Sequence, residues 1–116
     1  MKFNEAVEKF LIEGPKDKLI KYGMKKLNTD NYDIIDNKIA EVYNFLITKN
    51  LPTSGKFFDD LIKGIIDNVN DEDQAFDWIS KKFYKKYKNV IDDEFLNGKK
   101  NASDFADLVL TAWFGV

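Results

Sequence analysis

Carboxylates are the residues of this chain best suited to bind a metal ion or to move protons, and they come in a block. Within residues 59–77, seven acids are opposed only by Lys63. They are Asp59, Asp60, Asp67, Asp71, Glu72, Asp73 and Asp77. An EF-hand calcium loop needs a fixed order of oxygen ligands with a central glycine and a closing glutamate, and this block does not contain that order.

Pairs of acids at helical spacing are a second candidate for a magnesium or paired-carboxylate site. Asp33/Asp36 and Asp104/Asp107 each lie three residues apart, which places both side chains on one helix face. Acids at this spacing are also common on solvated helices, and no further ligand accompanies either pair. We therefore predict no metal site and no catalytic site.

The acidic block has a different use as a surface for a partner protein. A face built from acids attracts basic partners, and it can also imitate a nucleic-acid backbone. The formal net charge of the whole chain is only −2, which weighs against such mimicry. The predicted partner-binding acids are Asp59, Asp60, Asp67, Asp71 and Asp73.

A basic block, Lys81 to Lys88, interleaves lysines with aromatic residues, as single-stranded nucleic-acid surfaces do. Helical spacing places Phe83 and Tyr87 on the core side and leaves Tyr84 as the one free ring among the lysines. The alternative is a solvated face whose lysine stems cover apolar neighbours. The candidate nucleic-acid residues are Lys81, Lys82, Tyr84, Lys85, Lys86 and Lys88.

The last segment, residues 104–116, is apolar around most of its circumference when it is drawn as a helix. Such a helix is normally buried, so one interpretation makes it the central core helix. The other leaves Trp113 and Phe114 exposed at one end, where they dock on a partner or on a second copy of the chain. The pattern leaves both interpretations open.

The missing residue types restrict the chemistry further. The chain has no Cys and no His, and all 18 of its basic residues are Lys. Disulfides, Cys-ligated metals and thiol nucleophiles are therefore excluded. The commonest general base is absent, and so is the arginine fork that recognises phosphate and guanine. We predict that the protein is not an enzyme and that it binds no cofactor.

Periodicity along the whole 116-residue chain is helical, and Gly, Pro, Asn and Asp mark the breaks. The first four predicted helices are Asn4–Glu13, Pro15–Leu27, one that follows Asn28-Thr29-Asp30 and reaches Asn50, and Lys56–Asn68. A fifth helix, capped by Asn70, reaches Val90, and a short turn follows at Asp92–Leu96. The last helix begins at a capping box formed by Asn101 and Asp104 and reaches the terminus. The fold class is therefore all-α, a single domain over residues 1–116 with five to six helices in an orthogonal or bundle-like arrangement.

A helix-turn-helix at residues 37–68 would give this fold a DNA-binding role. Its second helix, however, begins with Lys56-Phe57-Phe58-Asp59-Asp60. The two acids would repel the DNA phosphates, and the two large aromatic rings would keep the helix out of the groove. We therefore reject this interpretation.

The opening residues lack the apolar run of a secretory signal, and no apolar stretch is long enough to span a bilayer, so we expect a cytoplasmic protein. The Lys, Asn, Asp and Ile bias is typical of AT-rich bacteria and phages. By elimination, the sequence favours a small protein that binds another protein, as an inhibitor, immunity protein or regulator. The alternative is a nucleic-acid-binding accessory protein that uses the Lys81–Lys88 face.

Overall fold

The computed structural model describes residues 15–94 and 101–115, and nearly all of them are helical. The helices are α1 (Pro15–Lys26), α2 (Tyr32–Thr48), α3 (Gly55–Asn68), α4 (Glu72–Asp77), a π-helical segment (Trp78–Phe83), α5 (Tyr84–Lys86), α6 (Lys88–Glu94) and α7 (Asn101–Phe114). The described residues contain no strand, which confirms the all-α prediction. The predicted first helix, Asn4–Glu13, lies outside them.

The cap of α2 directly follows the predicted break at Asn28-Thr29-Asp30, and the cap of α4 lies one residue beyond the predicted Asn70. The Asn31 side chain accepts a hydrogen bond from the Ile34 amide at 3.1 Å and so begins α2. Asp71, rather than Asn70, caps α4 and accepts from the Asp73 and Gln74 amides. In both cases the residue with extended backbone just before the first turn can turn its side chain onto the free amides.

The core is one cluster to which every long helix contributes. α2 packs against α7 and α1, and α3 packs against α1 and the π-helical segment. α1 lies close to both α2 and α3 at Gly23, where an added Cβ would lie 3.0 Å from Ile35 Cγ2 of α2 and 3.1 Å from Ile66 Cδ1 of α3. From the sequence, Gly23 is only a weak point in a helix, whereas the fold uses it as a contact site.

α4, the π-helical segment and α5 form one continuous helical run over residues 72–86. The Tyr84 amide donates to the Ile79 carbonyl, five residues back, and the Ser80 hydroxyl donates to the Phe76 carbonyl at 2.8 Å. The run stops at Tyr87, and α6 then continues to Glu94. The predicted end of the fifth helix at Val90 is therefore wrong, because the run breaks at Tyr87 and α6 extends to Glu94. The rest of the turn predicted at Asp92–Leu96 lies outside the described residues.

Within the described ranges, no helix has both the length and the apolar character needed to cross a membrane.

Candidate functional site

Three of the five predicted partner-binding acids are bound within the chain itself. Asp60 accepts from Lys86 Nζ at 2.9 Å and from the Tyr87 hydroxyl at 2.5 Å. These hydrogen bonds, first that of Tyr87 and then that of Lys86, lower the pKa of Asp60. Asp67 accepts from the Tyr22 hydroxyl, which raises the pKa of Tyr22 to about 12. The third, Asp71, is the cap of α4.

The other two acids differ from each other in exposure. Asp59 is partly buried, and its Oδ1 atom is buried without a hydrogen-bond partner among the described residues. Asp73 is exposed in the first turn of α4, where the positive end of the helix dipole favours a carboxylate. The predicted acidic face is therefore divided, because Asp60 and Asp67 are paired, Asp71 caps a helix and Asp59 is partly buried. Asp73 is the exposed carboxylate that neither pairs nor caps within the described residues.

Asp73 lies at the edge of a groove between α4 and α7, which we call the acid-rimmed groove. Its volume is about 290 Å³. It is lined by Glu72, Asp73 and Phe76 from α4 and by Asp107, Leu110, Thr111 and Phe114 from α7. The groove thus brings together one residue from each of the two surfaces that the sequence proposed independently, Asp73 and Phe114.

Helical spacing on both walls explains why these side chains converge. Glu72, Asp73 and Phe76 fall within one turn of α4, and Asp107, Leu110 and Phe114 follow each other at three- and four-residue intervals on α7. Leu110 is buried, Phe76 is partly buried, and the three acids are exposed. The result is an apolar floor with carboxylates at its rim.

The two aromatic residues at the end of α7 have opposite environments. Trp113 is 2% exposed and belongs to the core, so the core interpretation holds for it. Phe114 is 38% exposed and lines the groove. Lys38 ties this end to α2, because its Nζ donates to the Trp113 carbonyl at 3.1 Å and lies 5.6 Å from the centroid of each ring.

No family model, curated protein or solved structure matches this chain.

The basic block is largely occupied by contacts within the chain. Lys86 binds Asp60, Lys88 binds Asp92 at 2.5 Å, and Lys81 lies 3.7 Å from Asp77. The prediction that the Tyr84 ring is free is wrong, since Tyr84 is partly buried and its hydroxyl donates to Asp92. Burial and this hydrogen bond raise the pKa of Tyr84.

Lys82 and Lys85 are the two candidate nucleic-acid residues that have no ion-pair partner within the described ranges. Lys82 lies beside Trp78, an aromatic residue that sequence reasoning did not single out. The four-residue interval between Trp78 and Lys82 is the signal that could have drawn attention to it.

Across residues 15–94 and 101–115, no three carboxylates lie close enough together to hold a metal ion.

Proposed function

We propose that this protein acts by binding another protein, and that the acid-rimmed groove receives a basic segment of that partner. The observation behind this proposal is the combination of an exposed aromatic ring, Phe114, with three solvent-facing carboxylates around one apolar floor. The lining residues include no lysine, and the ammonium group of Lys38, which lies 5.6 Å from the Phe114 ring centroid, donates to the Trp113 carbonyl. The three rim carboxylates therefore have no ion-pair partner among the described residues.

The geometry suits a lysine or arginine flanked by an apolar residue. Such side chains lay an aliphatic stem along apolar surface and keep the charged head at the edge, as the floor of Phe76 and Leu110 and the rim of Glu72, Asp73 and Asp107 would require. An arginine of the partner could also bind one of these carboxylates through two parallel hydrogen bonds. Phe114 would then be the anchor that excludes water from the contact.

Charge reversal tests the proposal. A tagged Asp73→Lys/Asp107→Lys variant removes two rim carboxylates, and Asp30→Lys/Glu41→Lys is the matched control, since both control residues are exposed and lie outside the groove. Each pair changes the net charge by the same amount. Affinity capture from the native host, quantified by mass spectrometry, should recover a partner with the wild type and the control at about tenfold or greater excess over the groove variant.

The proposal is contradicted if no captured protein discriminates between the groove variant and the control, provided that both variants melt near the wild-type temperature. A second copy of the chain, the alternative partner expected for the C-terminal helix, would appear as a concentration-dependent dimer in sedimentation and would be lost in the same groove variant.

A further inference from the structure

Trp78 occupies a position that the neighbouring helix is built to accommodate. A Cβ added at Gly64 of α3 would lie 1.9 Å from Cη2 of the Trp78 indole, so only a glycine allows the ring to lie against the α3 backbone. The ring also contacts Phe83, with centroids 5.6 Å apart and an interplanar angle of 37°. The indole is therefore fixed in place while it remains partly accessible.

Trp78 lines two adjoining cavities, which together we call the Trp78 cleft. One has a volume of about 210 Å³ and includes Gln74 and Lys81 in its lining. The other has a volume of about 370 Å³ and includes Lys63 and Lys86. Lys82 lines both cavities. Trp78 thus lies where the two cavities meet, and their lining combines four lysines with Asp60, Asp67 and Asp77, of which Asp77 lies 3.7 Å from Lys81.

The uncompensated charge of the larger cavity is positive. Its two carboxylates are already bound, since Asp60 accepts from Lys86 and Tyr87, and Asp67 accepts from Tyr22 and lies 3.7 Å from Lys26. Lys63 and Lys82, by contrast, are exposed and have no ion-pair partner among the residues that the structure describes. Lys63 Nζ also lies 6.0 Å from the centroid of the Tyr22 ring, a contact that does not neutralise its charge, so both ammonium groups are available to an anion.

We propose that the Trp78 cleft binds a nucleotide unit, with the base against the Trp78 indole and the phosphate between Lys63 and Lys82. Stacking on a fixed aromatic ring combined with lysine contacts to phosphate is the chemistry by which proteins hold single-stranded nucleic acids. A simple inorganic anion would use the lysines but not the ring. This site is independent of the acid-rimmed groove, with which it shares no lining residue.

The polar edge of the cleft fits a base as well as a phosphate. The side-chain amide of Gln74 donates through Nε2 to Asn68 Oδ1 at 2.8 Å. The side-chain amide of Asn68 in turn donates through Nδ2 to the Gly64 carbonyl at 2.7 Å. This chain of hydrogen bonds orients both amides on the α3 side of Trp78. Each amide retains further donor or acceptor capacity, which the edge of a base can use.

Tryptophan fluorescence reports on this site directly, because the second tryptophan, Trp113, is buried in the core. The probes are a ten-residue thymidylate strand, (dT)10, and the free nucleotide dTTP. We expect at least one of them to quench the emission saturably at low salt, with affinity that falls as salt is added. Tighter binding of (dT)10 would identify a strand as the ligand, and equal or tighter binding of dTTP would identify a free nucleotide.

Three variants locate the site. Lys63→Gln/Lys82→Gln should weaken binding by about tenfold or more, whereas the matched control, Lys25→Gln/Lys85→Gln, should stay within about twofold of the wild type, since it removes the same charge from exposed lysines outside the cleft. Trp78→Leu, followed by the anisotropy of labelled (dT)10 or by calorimetry with dTTP, should weaken binding roughly five- to 150-fold.

The proposal is overturned if neither probe quenches the fluorescence at millimolar concentration, or if the two double-lysine variants bind alike. Thermal melting of each variant accompanies the titrations. The lysines are exposed, so their double variants test the proposal even if Trp78→Leu fails to fold.

Discussion

The acid-rimmed groove and the Trp78 cleft are built on the same helical run, residues 72–86, but their charges are arranged differently. In the groove, three exposed carboxylates surround an apolar floor and no lysine lines it. In the cleft, carboxylates and lysines are mixed, and both carboxylates of the larger cavity are bound to neighbouring side chains. A block of like charge in the sequence is therefore not the same thing as a charged surface, because internal pairing decides which members face a partner.

The largest effect that we predict separates the two aromatic residues at the end of α7. Trp113→Ala should lower the free energy of unfolding by about 3–5 kcal/mol, because it opens a cavity in the core. Phe114→Ala should cost less, about 1–2 kcal/mol, because that ring is 38% exposed. Chemical denaturation measures both values. Equal losses for the two variants would show that Phe114 is a core residue and would remove the aromatic anchor from the groove.

Gly64→Ala should disturb the cleft and leave the groove unchanged. The new methyl group would collide with the Trp78 indole, and overpacking of this kind costs about 1–3 kcal/mol. Displacement of the ring should also shift the tryptophan emission. A variant with wild-type stability and wild-type emission would show that Trp78 does not lie against α3.

Asp71→Ala tests the start of α4 on the groove side. Loss of the two hydrogen bonds to the Asp73 and Gln74 amides should cost about 1 kcal/mol in the free energy of unfolding. Asn70→Ala serves as the control, since Asn70 is exposed and Asp71 caps the helix. A larger loss for Asn70→Ala than for Asp71→Ala would assign the cap to Asn70.

The smallest effect is a pH dependence on the cleft side. Hydrogen bonds from Tyr87 and Lys86 lower the pKa of Asp60 below the value of 3.8 that applies in the unfolded chain. The stability that Asp60 contributes is therefore present above pH 3.8 and is lost as the pH falls through the lower folded-state pKa. Asp60→Asn should reduce the acid-induced loss of stability. If the stability of Asp60→Asn fell with decreasing pH as steeply as that of the wild type, the hydrogen bonds of Asp60 with Tyr87 and Lys86 would be contradicted.

At alkaline pH the dependence of stability on pH has the opposite sign, because stability is lost as the pH rises. The hydrogen bond to Asp67 raises the pKa of Tyr22 from 10.0 to about 12, so its contribution to stability is complete below pH 10 and is lost as the pH rises toward 12. The tyrosinate absorbance of the wild type and of Tyr22→Phe should be followed as the pH is raised. The absorbance that the variant lacks should appear in the wild type at the highest pH values, near the pKa of about 12. A missing signal near pH 10 would contradict the Tyr22–Asp67 contact.

Helical periodicity was sufficient to predict the all-α class and most of the core. It placed Phe83 on a buried face, and the predicted gap between Asn50 and Lys56 coincides with most of the connection between α2 and α3. These features depend on local spacing and on residue type, which the sequence contains in full. The cap at Asp71 was missed by one residue, because the neighbouring Asn70 could have served equally well.

The sites were less predictable because they depend on contacts between distant residues. The groove joins Asp73 to Phe114 across the α4–α7 contact, and the cleft depends on Gly64 being opposite Trp78. The π-helical segment, which begins at Trp78, has no spacing signal of its own. Tyr84 appeared to be a free ring because its partner, Asp92, lies beyond Val90, where the sequence predicted the fifth helix to end.

If the acid-rimmed groove binds a partner protein, Phe114 is its aromatic anchor, and the kinetics of the captured partner on Phe114→Ala measure that role. We expect a folded variant whose partner dissociates about tenfold faster or more, while Asp73→Lys/Asp107→Lys mainly slows association and weakens its salt dependence. Asp30→Lys/Glu41→Lys should behave like the wild type. A folded Phe114→Ala variant that binds with wild-type kinetics, together with a groove charge reversal that does the same, would contradict the account.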